Sequence, residues 1–177
     1  MLEFLKGGKS VFAVGELLAY GNTGVCRVEK LEQDKTGTRY VLRPLYQSCV
    51  ITLPVESKKI FMRPLISKEE ALALIDSIPS VSAEPYHNKV MRQLIEHYED
   101  ALKNYSCAGL VEVVSSIYAK KKQLEQERRK FGSIDERYLK RAESLLFGEL
   151  AAVLDLPRDG VRGFIAGRLG VEAPFGE

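Results

Sequence analysis

The pattern of apolar residues changes at Ser67, and this change is the feature that most restricts how the chain can fold. The preceding segment, Val11 to Pro64, is rich in β-branched and aromatic residues and is broken by turn signals at Gly21-Asn22 and Thr36-Gly37. After Ser67, apolar residues recur every three or four positions, which is typical of amphipathic helices. We therefore predict an α+β protein in which a small β domain precedes a helical domain.

The β domain, residues 1–66, is predicted to contain five short strands separated by tight turns. A small sheet of this kind removes most of its exposed edges by curving, so we expect a half-open barrel. The predicted strands are Leu17–Tyr20, Gly24–Glu32, Thr38–Pro44, Cys49–Pro54 and Ile60–Arg63.

Residues 67–85 are predicted to form a short helix and a linker. Ser67-Lys68-Glu69-Glu70 has the form of a capping box, in which serine and glutamate side chains accept hydrogen bonds from each other's amides. The helix is expected to end near Ser77. The segment Ile78 to Pro85 contains two prolines and three small residues, which favour neither helix nor strand.

Four further helices are predicted in residues 86–170. The first runs from about His87 to Asn104, and Met91 is expected to be a core residue because it belongs to the apolar stripe of that helix. The stripe consists of Met91, Leu94, Ile95, Tyr98, Leu102 and Tyr105. The second helix is expected to end near Lys130, with Gly132 placed to stop it.

The third predicted helix begins at a second capping box, Ser133-Ile134-Asp135-Glu136. The fourth is expected to open at Asp155-Leu156-Pro157, which combines an N-cap residue with a proline near the first turn, and to run to about Leu169. Residues 171–177 are expected to form a loose tail.

Composition excludes several classes of function. The 26 basic and 24 acidic residues leave a net charge of +2, which does not suit a polybasic polymer binder. Three cysteines without a Cys-x-x-Cys pair suit free thiols in the cytoplasm, and no apolar run approaches the roughly 18 to 20 residues that span a bilayer. Because no set of acid, base and nucleophile is evident, we predict no catalysis, no metal, no cofactor and no small-molecule substrate.

One band of the sequence is locally basic. Between Lys120 and Arg141, nine basic residues stand against four acidic ones. The basic residues are Lys120, Lys121, Lys122, Arg128, Arg129, Lys130, Arg137, Lys140 and Arg141. Such a band is compatible with a solvated helix face containing i,i+4 ion pairs, and also with a surface that contacts nucleic-acid phosphates.

Several motifs occur together, in an order and at distances that match a known family. Phe12-Ala13-Val14-Gly15-Glu16 precedes a turn, Tyr20-Gly21-Asn22-Thr23-Gly24-Val25, and Leu53-Pro54-Val55-Glu56 ends a predicted strand. The longest motif is Tyr138-Leu139-Lys140-Arg141-Ala142-Glu143-Ser144-Leu145-Leu146-Phe147-Gly148-Glu149-Leu150. From about Phe12 to Leu169, the chain resembles the CarD/CdnL family of RNA polymerase-binding transcription regulators.

The resemblance implies a Tudor-like β domain that binds the β subunit of bacterial RNA polymerase, a module shared with the transcription-repair coupling factor. It also implies a helical domain that contacts promoter DNA at the upstream edge of the transcription bubble and stabilises the open complex. Thr52 stands where the family often has a basic residue. The polymerase-binding residues expected from the resemblance are Gln33, Lys35, Arg39, Ile51, Thr52 and Leu53.

DNA contacts are expected in the helical domain, with Lys89 and Arg92 on the exposed side of its first helix. The candidate DNA-binding residues are Tyr86, His87, Lys89, Arg92, Lys121 and Arg128. Family members typically insert a tryptophan as a wedge at the bubble edge, but this chain has no tryptophan. Tyr86, His87 and Met91 are the alternatives for the wedge position, and a tyrosine or methionine would insert with less contact area than an indole.

Two rival functions stay open. In the first, the protein is a polymerase-binding adaptor whose helical domain contacts another protein rather than DNA. In the second, the helical domain is a small hydrolase. The absence of an evident acid, base and nucleophile set disfavours the hydrolase, whereas the small net charge and the missing tryptophan are compatible with the adaptor.

Overall fold

A computed structural model describes residues 12–57 and 61–176 and confirms the α+β class. The chain divides into two compact units, Met1–Leu65 and Ile66–Glu177, which we call the β unit and the helical unit. The predicted strand residue Ile60 lies outside the described residues.

The β unit contains five strands: β1 (Leu17–Tyr20), β2 (Gly24–Asp34), β3 (Gly37–Pro44), β4 (Ile51–Pro54) and β5 (Met62–Pro64). All neighbours pair antiparallel in the order β4-β3-β2-β1-β5, so β4 and β5 form the two edges of an open sheet. The described ends of the predicted strands agree with the structure to within two residues. The strands therefore form an open sheet, and β4 presents an edge to solvent.

Two side chains of β3 belong to the core of the β unit. Tyr40 and Leu42 point into the sheet's buried face, and the Tyr40 hydroxyl accepts a hydrogen bond from the amide of Phe12 (2.8 Å). At the β2–β3 turn, the Asp34 carboxylate accepts hydrogen bonds from the amide (2.6 Å) and hydroxyl (2.5 Å) of Thr36. Gly37 follows with a φ of 124°, which favours glycine. The turn residues therefore set the register of the longest hairpin.

The helical unit contains α1 (Lys68–Ser77), α2 (Met91–Leu102), α3 (Cys107–Gln126), α4 (Ser133–Leu154) and α5 (Val161–Leu169). A helix was predicted at each of these five places, but the helical domain was expected to contain only the four in residues 86–170. Helix α1 belongs to the same unit, because its Ala71 and Ile75, together with the following Ile78, lie in the same apolar core as α2 to α5. Residues 67–85 therefore begin with a core element of this unit.

The two predicted capping boxes have different outcomes. The first is confirmed, because the Ser67 hydroxyl accepts from the Glu70 amide (3.0 Å) and the Glu70 carboxylate accepts from the Ser67 amide (2.7 Å). The second is wrong: the N-cap of α4 is Gly132 and no side chain caps it. Ser133 is the first residue of the helix, and Glu136, which would have completed the box, accepts from Lys140 (2.9 Å) instead.

Two predicted helix boundaries, the end of α3 and the start of α5, are also wrong. Helix α3 ends at Gln126, with Arg128 in a left-handed conformation (φ 55°), so Gly132 does not stop it. Asp155 is the left-handed C-cap of α4 (φ 55°, ψ 50°), and α5 begins only at Val161. In both cases the chain turns through a left-handed residue that the sequence does not mark with glycine.

The C-terminal residues are not a loose tail. Phe175 is buried against the Tyr118 ring (centroids 6.2 Å apart) and the Phe147 ring (6.1 Å). A single aromatic side chain therefore anchors the described end of the chain, because burying it removes a large apolar area from water.

Candidate functional site

The segment before α2 is held against the helical unit by polar contacts. The Tyr86 ring stacks on His97, with centroids 3.6 Å apart and planes 12° from parallel. The Asn88 side-chain amide donates to the Tyr86 hydroxyl (3.1 Å), and its carbonyl accepts from the amide of Val90 (2.8 Å). Tyr86 is thus packed within its own unit, which disfavours it as an inserting residue.

An exposed apolar pair lies where α2 begins. Val90 is 51% exposed and Met91 is 66% exposed, so the expectation that Met91 is a core residue is wrong. Periodicity indicates which face of a helix a residue occupies, but not whether another element lies opposite it at that level. The buried positions of α2 are Leu94, Tyr98 and Leu102, and Met91 lies one turn before them.

Two predicted DNA-binding residues flank this pair. Lys89 is exposed but precedes α2 rather than lying on its outer face, because the helix begins four residues later than predicted. The Arg92 side chain is 87% exposed and donates to Glu96 Oε1 at 2.8 Å. The sequence Lys89-Val90-Met91-Arg92 therefore presents two apolar side chains between two cations, and we call it the apolar tip.

His87 connects the same segment to α3. Its Nε2 is bonded to Gln123 Oε1 at 3.0 Å, and Nε2 is the donor because a carboxamide oxygen only accepts. His87 therefore fixes the position of its neighbour Lys89 and is not free to act as a wedge.

The basic band is less uniform than its sequence indicates. Lys120 is buried and bonds to Asp135 at 2.8 Å, so it does not belong to an exposed surface. Lys121 is half-buried with its ammonium 6.0 Å from the Tyr118 ring, and Arg128 is exposed at the end of α3. Two exposed cations of the band are paired internally: Arg129 with Glu127 and Lys140 with Glu136, both at 2.9 Å.

A buried polar network joins three helices behind the apolar tip. Asp135 Oδ1 accepts from the Tyr98 hydroxyl (2.6 Å) and from Lys120 Nζ (2.8 Å). Burial, together with the hydrogen bond to Asp135, raises the pKa of Tyr98 far above its ordinary value, so the hydroxyl stays a donor. Sequence analysis missed this network because its members lie on α2, α3 and α4.

A second network uses cations from the same band. Arg141 donates to Glu99 Oε1 at 2.7 Å, and the Tyr138 hydroxyl donates to the same oxygen at 2.5 Å. The hydrogen bond from Arg141, and to a smaller extent the one from Tyr138, holds the pKa of the Glu99 carboxyl below its ordinary value. Arg141 is therefore mainly a structural residue that connects α4 to α2.

In the β unit, the predicted polymerase-binding residues fall into two groups. Gln33 and Lys35 are exposed at the end of the β2–β3 hairpin, and Arg39 is one-third exposed beside them. Arg39 Nη1 lies 3.5 Å from Asp34 Oδ2, while its buried Nε has no hydrogen-bond partner among the described residues. An unpaired buried donor is unfavourable, so a partner that supplied an oxygen there would be stabilised.

The second group lies on β4, at the edge of the sheet. Ile51 is half-buried, Thr52 is exposed and Leu53 is only 6% exposed, so the Leu53 side chain belongs to the core. The Val55 amide donates to Thr38 O (3.0 Å), and hydrogen-bonded pairs alternate along an antiparallel ladder. The amide and carbonyl of Thr52 therefore point away from β3, towards the open edge.

The described residues, 12–57 and 61–176, contain no group of three or more histidine, cysteine, aspartate or glutamate side chains that could hold a metal ion. None of the helices that the structure describes is long and apolar enough to cross a bilayer. No model of a known protein family matches the chain. A search of curated proteins also found no match.

Proposed function

We propose that this protein is a non-enzymatic regulator of bacterial transcription, which binds the RNA polymerase β subunit through its β unit and promoter DNA through its helical unit. The apolar tip carries the proposal, because two exposed apolar side chains between two cations suit a groove lined by phosphates. The DNA contact is placed at the upstream edge of the bubble, where it stabilises the open complex.

The β unit is proposed to be Tudor-like and to bind polymerase by strand pairing at β4. The outward amide and carbonyl of Thr52 offer backbone hydrogen bonds to a partner strand. Arg39 lies on the adjacent β3, in register with Pro54, and its unpaired Nε offers a further donor to that partner. Gln33 and Lys35 extend the same surface along the hairpin.

The helical unit is proposed to use Met91, with Val90, in place of the family's tryptophan. Tyr86 and His87 are held by contacts within their own unit, whereas Met91 is free to enter a partly unstacked base step. Lys89, Arg92 and Arg128 are exposed cations that would lie near phosphates, and Lys121 is half-buried. Because these cations are few, the contribution of charge to affinity is expected to be modest.

A cytoplasmic location fits this function. Cys26, Cys49 and Cys107 are all free thiols, as expected for a reducing compartment. Burial, and to a smaller extent the nearby Cys49, raises the pKa of the Cys26 thiol to about 12. This cysteine is therefore unreactive at neutral pH.

The adaptor function is the second candidate, and the internal pairing of exposed cations in the helical unit favours it. Arg92, Arg129 and Lys140 each bind a glutamate of their own unit, which reduces the charge available to phosphates. An exposed apolar pair also suits a protein partner. The two candidates differ in salt dependence, because only phosphate contacts release condensed counterions.

The test is the lifetime of open promoter complexes formed with bacterial polymerase and this protein. Met91→Ala is expected to shorten that lifetime about fivefold, as loss of roughly 1 kcal/mol of apolar contact would do. Binding to closed duplex and its salt slope should change little, because a wedge acts on an unstacked step. Val171→Ala, which truncates another exposed apolar residue of the helical unit, is the control.

The same assay separates the two candidates. If Lys89→Ala and Arg92→Ala leave the salt slope unchanged and Met91→Ala leaves the open-complex lifetime unchanged, the helical unit does not contact DNA as proposed. Retention of the protein on polymerase without promoter DNA, at an affinity that Met91→Ala reduces, would then identify the tip as a protein-binding surface.

A further inference from the structure

A groove of about 420 Å³ lies beside the apolar tip, within the helical unit. One wall is the segment that carries Lys89, and the other is the α3–α4 loop that carries Arg129 and Lys130. Lys120 and Asp135 form part of its floor. A cavity of this size accommodates a small ligand or one unit of a polymer.

The charges around the groove do not cancel. Lys120 is bonded to Asp135 at 2.8 Å, and Arg129 is bonded to Glu127 at 2.9 Å, so each of these pairs is close to neutral. Lys89 and Lys130 line the groove from two different segments, and neither forms an ion pair with any described residue. The groove therefore has an excess of two positive charges, one from each segment.

The wall that carries Lys89 is already in position. His87 is bonded to Gln123 of α3, and Asn88 Oδ1 accepts from the amide of Val90, so the residues on both sides of Lys89 are fixed by hydrogen bonds. A second interaction of Asn88, from Nδ2 to Gln93 Oε1 (2.9 Å), connects the wall to α2. A ligand that binds here does not have to order the Lys89 backbone first, which favours affinity.

We propose that this groove binds one phosphate group, held between Lys89 and Lys130. A phosphate ester carries one or two negative charges and several acceptor oxygens, which matches two lysines that act as point charges. Because the lysines belong to different segments, a bound phosphate joins the walls and fixes Val90 and Met91, which directly follow Lys89. The inference rests on the proposed function for the role of the apolar tip, and the phosphate comes either from a nucleic-acid backbone or from a free phosphorylated molecule.

The test uses the full chain labelled with ¹⁵N and titrated with inorganic phosphate, against sodium chloride at matched ionic strength. We expect saturable shifts of the Lys89 and Lys130 backbone amides and of the Asn88 and Gln123 side-chain amides. Lys89→Ala and Lys130→Ala should each weaken this binding at least about fivefold, as loss of one charge-assisted contact does. Lys103→Ala removes an exposed lysine at the opposite end of α2 and should leave the binding unchanged.

Two further arms identify the source of the phosphate. Displacement of inorganic phosphate from the groove by a short duplex of arbitrary sequence supports the site and assigns it to the nucleic-acid backbone. Phosphate binding that such a duplex does not displace supports the site and assigns it to a free phosphorylated molecule. The absence of saturable shifts, or equal shifts in wild type and in Lys89→Ala/Lys130→Ala, overturns the inference.

Failure of this inference is distinguishable from failure of the proposed function. If the groove binds no phosphate but Met91→Ala still shortens the open-complex lifetime, only the groove assignment is wrong. If the groove binds phosphate but neither Met91→Ala nor Lys89→Ala affects promoter complexes, the proposed function is wrong and the anion site stands by itself.

Discussion

Arg128 adopts a left-handed backbone at the end of α3, where helices usually place glycine or asparagine. The Arg129 amide bonds to Leu124 O (2.7 Å) and the Arg128 amide to Glu125 O (3.0 Å), so the conformation closes the helix. An arginine in this conformation costs stability because its Cβ crowds the neighbouring carbonyl oxygen. The unfavourable residue is understandable if the guanidinium is needed at the DNA surface.

We predict that Arg128→Gly raises the free energy of unfolding by about 0.5–1 kcal/mol, because glycine removes the left-handed penalty. The same change should weaken DNA binding and reduce the salt slope by about one unit. Urea unfolding and a salt titration of DNA binding measure the two effects.

Asp155→Gly is the control: Asp155 has the same geometry at the end of α4, so the change should stabilise the protein without loss of DNA affinity. Reduced stability of Arg128→Gly would contradict the argument.

His97 gives the protein a pH dependence of known sign. Burial, followed by the nearby Lys120 charge, lowers the pKa of His97 below its ordinary value of 6.5, and Asp100 only partly opposes this. As the pH falls through 6.5, the unfolded chain takes up a proton that the folded His97 does not. The free energy of unfolding should therefore decrease as the pH falls from about 7.5 to about 5.5.

His97→Phe is expected to remove most of this dependence, because it retains a ring to stack on Tyr86 but cannot take up a proton. Thermal denaturation between these pH values provides the measurement. The chain has only one other histidine, His87, so His87→Asn shows how much of the slope the exposed residue contributes. If the free energy of unfolding of His97→Phe depends on pH as steeply as that of wild type, other groups cause the dependence.

At the scale of the elements, the buried Lys120–Asp135 pair connects α3 to α4, and Tyr98 adds α2. Lys120→Met should destabilise the protein by about 3 kcal/mol, because it leaves the Asp135 carboxylate buried without its cation. Lys120→Met/Asp135→Asn should restore part of the loss, because a neutral amide needs no cation and its oxygen still accepts from the buried Tyr98 hydroxyl. Urea unfolding of the double-mutant cycle measures the coupling. A double variant no more stable than Lys120→Met would show that the ion pair itself is required.

The two serine patterns show why sequence patterns succeed at one helix start and fail at another. The Ser67 box could be predicted because both of its partners lie within four residues, so the pattern contains the whole interaction. The Ser133 pattern is equally good, but α4 begins one residue earlier than it predicts, with Gly132 as the N-cap, and Glu136 binds Lys140 instead. The pattern therefore locates the helix start to within one residue but does not identify the residue that caps it.

The candidate site was predictable to a similar extent. Lys89 and Arg92 were expected on the exposed side of the first helix of this unit, and both are exposed, although Lys89 precedes the helix. The exposure of Met91 and the burial of Lys120 were not, because each depends on which helix packs opposite at that level. The strands were predicted to within two residues, since turns at their ends are marked by local residues such as Gly37.

At the scale of the whole molecule, the proposed function needs two surfaces on two units of one chain. Arg92, Arg129 and Lys140 of the helical unit are each paired with a glutamate, and the chain has no tryptophan, so the unit's own affinity for DNA should be weak. Anchoring of the β unit on polymerase would supply the apolar tip at an effective concentration in the millimolar range. Substitutions in the two surfaces should therefore differ in how their effects depend on protein concentration.

This difference gives the last prediction, measured as open-complex lifetime against protein concentration. Thr52→Pro removes the outward amide of the edge strand while leaving the hydrogen bonds between β3 and β4 in place, so polymerase binding should weaken about tenfold or more. The effect of Thr52→Pro on the open-complex lifetime should be overcome at high protein concentration, because the apolar tip is intact. Met91→Ala should shorten the lifetime even at saturation, because the anchored protein lacks the contact itself. Thr52→Val keeps the amide and should behave as wild type. If a saturating concentration of the Met91→Ala protein also restores the open-complex lifetime, then Met91 contributes to binding rather than to the open complex. In that case the apolar tip does not act as a wedge.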